Sequence, residues 1–443
     1  MDAAVRGAST PDLAPSIAAK LGKLIGRARA KPGTAESAGH GKPALKARRT
    51  SRPDPGWTGR AGSVNTSLRR SPTMANERII SADSHVNPPK DLWTSRAPAK
   101  FSERAPRVES TPQGDFWIVD SQVSGGIGLD ASAGHKPEEF RPAGMTYKDM
   151  RPGSYDPKAR LADMDLDGVD AEVLYFGGPV TSLSSDPELR RYVIQTYNDW
   201  MVELSKAAPT RLVGLAHIPI LDLAEGMAEL RRVAKLGLRG FHVDPFPDER
   251  GGKALWDPAY EPFWSLVEET GLPISFHIVG PRNTNLQQTF MNPAPGVKET
   301  FIAIAPISIC EVVSTLVFTG ILARHPKLHF VLVECGIGWI PYFVERMDQT
   351  FNKHRFWTKS VITEKPSTYW YHQGHATFIQ DLAGVAARHR AGLRNIMWST
   401  DYPHSDSTWP KSREALAAHF QDVPESERAL IAGGNAAALY GLN

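Results

Sequence analysis

Two periods of apolar residues alternate along this chain. From residue 159 onward, short runs rich in β-branched and aromatic residues are separated by longer stretches whose apolar positions recur every three to four residues. Runs of the first kind predict strands and the second amphipathic helices, and their regular alternation predicts βα units on a parallel sheet. Eight strands are predicted, at 78–83, 171–176, 211–216, 238–243, 273–279, 328–334, 376–380 and 394–400. The helices between them include Glu188–Lys206, Leu223–Lys235 and Ile340–His354. The runs 273–279 and 328–334 are nearly all apolar, as expected of strands covered on both faces. Eight such units need about 250 residues, so the predicted fold is a (β/α)8 TIM barrel with loop insertions. The surplus falls at 86–158, 280–305 and 355–375, the first holding a hairpin candidate around Phe116–Val119. Insertions that follow strands sit on the C-terminal face of a barrel, where they form lids and pocket walls.

Composition divides the chain at Met74. Residues 1–73 carry 14 Lys+Arg against 4 Asp+Glu and a single aromatic residue, Trp57, whereas residues 74–443 sum to −7. The basic balance therefore belongs to the tail and implies no nucleic-acid partner for the barrel. A segment so rich in Ala, Gly, Ser, Pro and Arg cannot bury enough apolar surface to offset its ordering entropy, and it reads as disordered. A nucleic-acid arm and an organelle presequence remain open for it, as does a true start at Met74, where the ordered pattern begins at once. The expected organisation is thus a 1–73 tail and a 74–443 barrel domain. No uncharged apolar run reaches the ~18 residues of a membrane span, so no membrane partner is expected. Two cysteines, Cys310 and Cys335, make no disulfide framework and fit a reducing cytoplasm.

Chemistry collects at the ends of the predicted strands. Asp83 and His85 are two apart on the first strand, so both face the barrel interior. His277 closes the fifth strand, and Asp401 follows the eighth within Trp398-Ser-Thr-Asp-Tyr-Pro-His404. A closed barrel sets its first and last strands side by side, which brings these segments together across the whole sequence. Two imidazoles and two carboxylates at C-terminal strand ends suit one divalent ion, Zn²⁺ or Mn²⁺.

With these residues in place, the sequence from 78 to 443 resembles the amidohydrolase-related metalloenzymes, in the branch of aminocarboxymuconate-semialdehyde, resorcylate and dihydroxybenzoate decarboxylases. The resemblance rests on Asp83-Ser-His-Val-Asn-Pro-Pro89, Arg160-Leu-Ala-Asp-Met-Asp-Leu-Asp-Gly-Val-Asp170 and Phe276-His-Ile-Val-Gly280. It continues through Glu334-Cys-Gly-Ile-Gly-Trp-Ile-Pro-Tyr342, Asp401-Tyr-Pro-His404 and Gly434-Asn-Ala-Ala-Ala-Leu-Tyr-Gly441. It implies that Asp83, His85, His277 and Asp401 hold the metal, with Asp401 doubling as acid and base. Two positions depart from that family: many of its decarboxylases have His or Glu at Asp83, and the sixth strand usually ends in His rather than Glu334. A Glu is an anion unless burial raises its pKa, so the proton inventory differs. The fourth strand has no Lys to bridge two metals, and one ion is expected.

Further candidates are weaker. His242 on the fourth strand points inward if Gly240 and Asp244 do, Arg282 could hold an anionic substrate group, and His404 could orient Asp401 through a hydrogen bond. Trp409, Trp339 and Phe290 are candidate pocket walls. His372 and His375 have metal-pair spacing but fall in a predicted loop. The leading expectation is a mononuclear metal enzyme that decarboxylates a small aromatic or unsaturated acid, with Asp401 and Glu334 as catalytic groups and His242, Arg282, His404 and Trp409 around the substrate. Hydrolysis of an amide or lactone at the same metal is the alternative, and a catalytically inactive binding barrel the third reading. A homo-oligomer, in the first instance a dimer, is expected.

Overall fold

The computed structural model describes residues 74, 77–177, 184–284, 289 and 292–442. Phe290 lies outside the described residues, as does the 1–73 segment.

The eight barrel strands are β1 (Ile80–His85), β2 (Ala171–Tyr175), β3 (Leu212–Gly214, resumed at Ala216–His217), β4 (Phe241–Val243), β5 (Ile274–His277), β6 (Phe330–Val333), β7 (Gly374–Phe378) and β8 (Ile396–Trp398). Every ladder between them is parallel. The ladders form a three-stranded and a six-stranded group, which meet inside β3. There the Leu215 N–H donates to Leu174 and the Ala216 N–H to Gly240 on the opposite side. No regular ladder joins β8 to β1 among the described residues. Instead the Thr400 N–H donates to Ser81 Oγ (2.9 Å), the Asp401 N–H to the Asp83 carbonyl (3.0 Å) and the His85 N–H to the Tyr402 carbonyl (2.6 Å). The fold is a (β/α)8 barrel, stitched at this seam by the loops that carry the candidate ligands.

Alternation along the strands sorts the core into two shells. Val331 and Val333 join Ile80, Ala82, Val173, Tyr175, Leu215 and Met397 in an inner cluster, while Phe330 and Leu332 belong to the larger cluster that includes the surrounding helices. The C-terminal helix Asn435–Tyr440 adds Ala436 and Tyr440 to the inner shell. Each such side chain contributes about 1.5–3 kcal/mol by leaving water. Above this apolar filling the inward positions become polar. A β-bulge between Ser81 and Ser84 adjusts the pleat of β1 just where it passes from Ile80 and Ala82 to Asp83 and His85.

Helices follow the predicted periods closely, at Pro187–Ala207, Leu223–Leu236 and Ile340–His354. Asp186 and Asp222 cap the first two by accepting from backbone N–H groups of the opening turn. The insertions hold more structure than the sequence suggested. Instead of one hairpin, residues 107–126 form a three-stranded antiparallel sheet, Arg107–Thr111, Gly114–Val119 and Gln122–Gly126. His372 lies in the helix Pro366–Gln373 and His375 in β7, not in a loop; His375 meets His329 at 3.3 Å, away from the ligand set. The helical stretch Val297–Phe318 holds an 18-residue window of mean hydropathy 2.2, long and apolar enough to cross a membrane by length and composition alone.

Candidate metal centre and active site

The ends of β1, β5, β6 and β8 converge on one buried cluster. His85 Nε2 stands 3.4 Å from Asp83 Oδ1, 3.3 Å from Asp401 Oδ1 and 3.1 Å from His277 Nε2. His277 Nε2 is 3.3 Å from Glu334 Oε2. These spacings are close to the edges of a coordination shell whose ligands each lie about 2.0–2.2 Å from a central ion. The imidazoles are aimed from behind: His85 Nδ1–H donates to the Phe176 carbonyl (2.8 Å) and His277 Nδ1–H to the Ile278 carbonyl (3.0 Å). Both Nε2 atoms are thereby turned to the centre, the usual arrangement of metal-binding histidine. The carboxylates pass the same test of fit: the oxygens of Asp83 and Asp401 are buried, and their close polar neighbours are the cluster's own histidines and His404. A buried carboxylate short of partners is costly, and a divalent cation held by this set would supply the missing counter-charge.

Charge in the cluster follows from its packing. Burial alone would lower the His85 pKa, but contact with Asp401 and Asp83 reverses this and holds the imidazole well above its ordinary value. Burial would likewise raise Asp401, yet His404 and His85 hold it below the usual carboxylate range. His277 is pushed down to about 4, chiefly by burial. Glu334 moves the other way. Burial, then Asp401 and Asp83, push its carboxyl well above the ordinary value, whereas the charge of a bound cation would pull it back down.

Both of these acids are in left-handed backbone, with φ +58° at Glu334 and +56° at Asp401. Such a conformation costs a non-glycine residue of order 1–3 kcal/mol. The Glu334 N–H is held by Thr377 Oγ1 (2.8 Å) and the Asp401 N–H by the seam bond to Asp83. Thr377 carried no sequence signal, because a threonine in a strand is ordinary.

The helix Pro157–Asp167 explains the Arg160–Asp170 motif. Arg160, buried, donates to Glu172 Oε2 (2.5 Å) and to the His85 carbonyl (2.8 Å), and covers the Tyr402 ring. Asp163 accepts from the Tyr402 hydroxyl (2.6 Å) and Asp167 from Ser412. One helix thus clamps the segments beside His85 and Asp401 from below.

The other predicted site residues divide. His404 lies where expected: its Nδ1 is 3.0 Å from Asp401 Oδ1 and its ring stacks on His85 at 3.8 Å. His242 is buried and lines a cavity of about 200 Å³ that also reaches His277. Arg282 is not available to an anionic substrate as predicted, because Glu311 (2.6 Å), Asp248 (2.8 Å) and Glu249 (3.7 Å) already surround it. Trp409 is not brought to that cavity either; its indole donates to the Asp163 carbonyl and supports Arg151 and Tyr402. Trp339 donates to the Cys335 carbonyl and packs on Phe343. His217 was missed, since only the fold brings its Nδ1 within 3.4 Å of His242 Nδ1. A second cavity, of about 330 Å³, is lined by Glu334, Gln380, Asp406 and Pro306.

Known proteins share this frame. The 2-amino-3-carboxymuconate-6-semialdehyde decarboxylase of Dictyostelium discoideum is 22% identical over 68% of this chain and 80% of its own length. The gamma-resorcylate decarboxylase of Polaromonas sp. is 26% identical over 65% of this chain and 87% of its own. The crystal structure of a dihydroxybenzoic acid decarboxylase from Polaromonas sp., with bound manganese and the inhibitor 2-nitroresorcinol, superposes with a TM-score of 0.56 at 20% identity, covering 83% of this chain and 98% of that one. The family described as Amidohydrolase matches residues 82–442, nearly the whole barrel, and the chain belongs to that family.

Proposed function

We propose that this protein is a mononuclear metal-dependent enzyme that decarboxylates a small aromatic or unsaturated acid. Asp83, His85, His277 and Asp401 are the proposed ligands of one zinc or manganese ion. When bound, that ion supplies positive charge for a substrate carboxylate and a neighbouring oxygen. In the proposed reaction the bond to the carboxylate carbon breaks, CO₂ leaves, and the electron pair left on the ring or alkene carbon takes a proton. Two carboxyl groups face the site, Asp401 shifted toward its ionised form by His404 and His85, and Glu334 shifted toward its protonated form by burial. Asp401, braced by His404, serves as the acid/base against the reacting carbon, and Glu334 supplies the proton that the ionised group lacks.

The observation that carries the reading is the convergence of Asp83, His85, His277 and Asp401 on one buried centre, with Glu334 Oε2 3.3 Å from His277 beside it. Similarity to two decarboxylases supports the choice of reaction. Hydrolysis at the same centre draws support from Asp401, whose ionised state suits proton removal from water. The two separate in one assay: manganese-loaded protein is offered a panel of hydroxybenzoates and, separately, amides and lactones. CO₂ release from at least one acid is expected, and turnover confined to the amides or lactones would overturn decarboxylation.

We further place the enzyme in the cytoplasm, where the free thiols Cys310 and Cys335 would stay reduced. A homodimer is proposed as well. Ile302, Ile304 and Ile307 on the stretch Val297–Phe318 are each close to half exposed, an apolar face suited to a second copy. Light scattering should give a mass twice that of the 48.6 kDa chain.

A further inference from the structure

The cavity beside His277 is walled by Phe176, His217, Ile218, His242 and Val279. About 150 Å³ suffices for a benzene ring, so its volume of about 200 Å³ accommodates one ring with small substituents. Phe176 stacks on His242, with centroids 4.3 Å apart and planes at 17°, which fixes the imidazole edge-on to the cavity. His242 Nδ1 is engaged with His217 Nδ1 at 3.4 Å. Its Nε2 is buried and has no partner, although buried polar atoms are almost always satisfied.

Taking the acid substrate of the proposed function as its premise, we propose that His242 determines specificity: it hydrogen-bonds a neutral polar substituent, such as a hydroxyl, at the end of the ring away from the metal-bound carboxylate. His242 and His217 share one proton between their Nδ1 atoms, and the pair carries one more on an Nε2 atom. Moving both protons exchanges donor and acceptor, so His242 Nε2 can meet a hydroxyl in either sense. Burial lowers both imidazoles, His217 to about 3, which leaves this pair neutral. The cation closest to it, Arg250, lies against Asp244 at 2.8 Å. Both line the cavity, so a second carboxylate on the substrate would lose its hydration and find as counter-charge a guanidinium already engaged by a carboxylate. The wall favours a hydroxy acid over a diacid.

The test uses manganese-loaded full-length protein and calorimetric binding of benzoate, 3-hydroxybenzoate, 4-hydroxybenzoate and terephthalate. One neutral hydrogen bond predicts that the better hydroxybenzoate binds about three- to tenfold more tightly than benzoate, with terephthalate weakest. In His242→Phe that advantage should vanish while metal content and the benzoate Kd stay within about threefold of wild type. The wild-type series stands alone if the variant does not fold. Hydroxybenzoates no tighter than benzoate, an advantage that survives in His242→Phe, or terephthalate binding tightest would each overturn the assignment while leaving the decarboxylase reading intact. If no benzoate binds at all, the ring assignment falls, and the CO₂-release assay decides the decarboxylase reading by itself.

Discussion

Two pairs of buried histidines cross at almost the same spacing: His85 and His277 with ring centroids 4.9 Å apart, His217 and His242 at 4.7 Å. Burial penalises the charged form in both. In the first pair Asp83 and Asp401 stand within 3.4 Å of His85 and reverse the penalty for that ring, while His277 stays pushed down to about 4. In the second, no carboxylate contact offsets it and both rings stay neutral. The same residue type in the same barrel layer thus makes a cation site or an uncharged hydrogen-bonding wall. What decides is the number of carboxylates in reach.

The sharpest way to break this contrast is Glu334→Gln, which keeps shape but carries neither proton nor charge. If Glu334 supplies the proton, kcat should fall by about 10²–10⁴ with metal content unchanged. Stopped-flow or steady-state rates on metal-quantified protein decide it, and a fully active variant would leave Asp401 as the sole acid.

Next in size is the frame beneath the charged pair. Arg160→Met strands Glu172 in the interior and should cost about 3–5 kcal/mol in chemical denaturation, as breaking a buried ion pair does. Arg151→Met, at the half-exposed pair with Asp163, should cost about 1 kcal/mol or less. Equal losses would remove Arg160 as the clamp.

Acidity should distinguish the pairs more gently. The His85 proton competes with the ion, and because its pKa is raised the proton persists well above the ordinary imidazole range. Metal affinity should therefore fall as pH drops, by about tenfold per unit below that raised value, and level off above it. A pH-independent Kd would mean that His85 is not a ligand.

The smallest expected change comes from beginning the chain at Met74. Residues 1–73 lack the apolar periodicity to form core, so melting temperature and metal content should match those of the full chain. A drop of several degrees would contradict this.

Much of the frame was legible because strand periodicity is local. All eight strands fall within about three residues of their predicted positions, and Ile340–His354 coincides with its helix. Asp83, His85, His277 and Asp401 could be picked out because each lies at or just past the end of a predicted strand. Pairing was harder to see. Arg282 looked free because the carboxylates that surround it come from 248, 249 and 311. Trp409 looked like a pocket wall because its partner, Asp163, lies 246 positions away. His217 sits where β3 is interrupted, so its meeting with His242 had no periodic signature. Glu334 was visible as a departure from the family, but its left-handed backbone depends on contacts that only the closed barrel supplies.

The central claim is that one buried pair holds a cation and the other does not. The direct measurement is metal content by plasma mass spectrometry after manganese loading and desalting, for wild type, His85→Ala and His242→Phe. About one ion per chain is predicted for wild type and His242→Phe, and close to none for His85→Ala. Full occupancy in His85→Ala, or a loss confined to His242→Phe, would contradict the account.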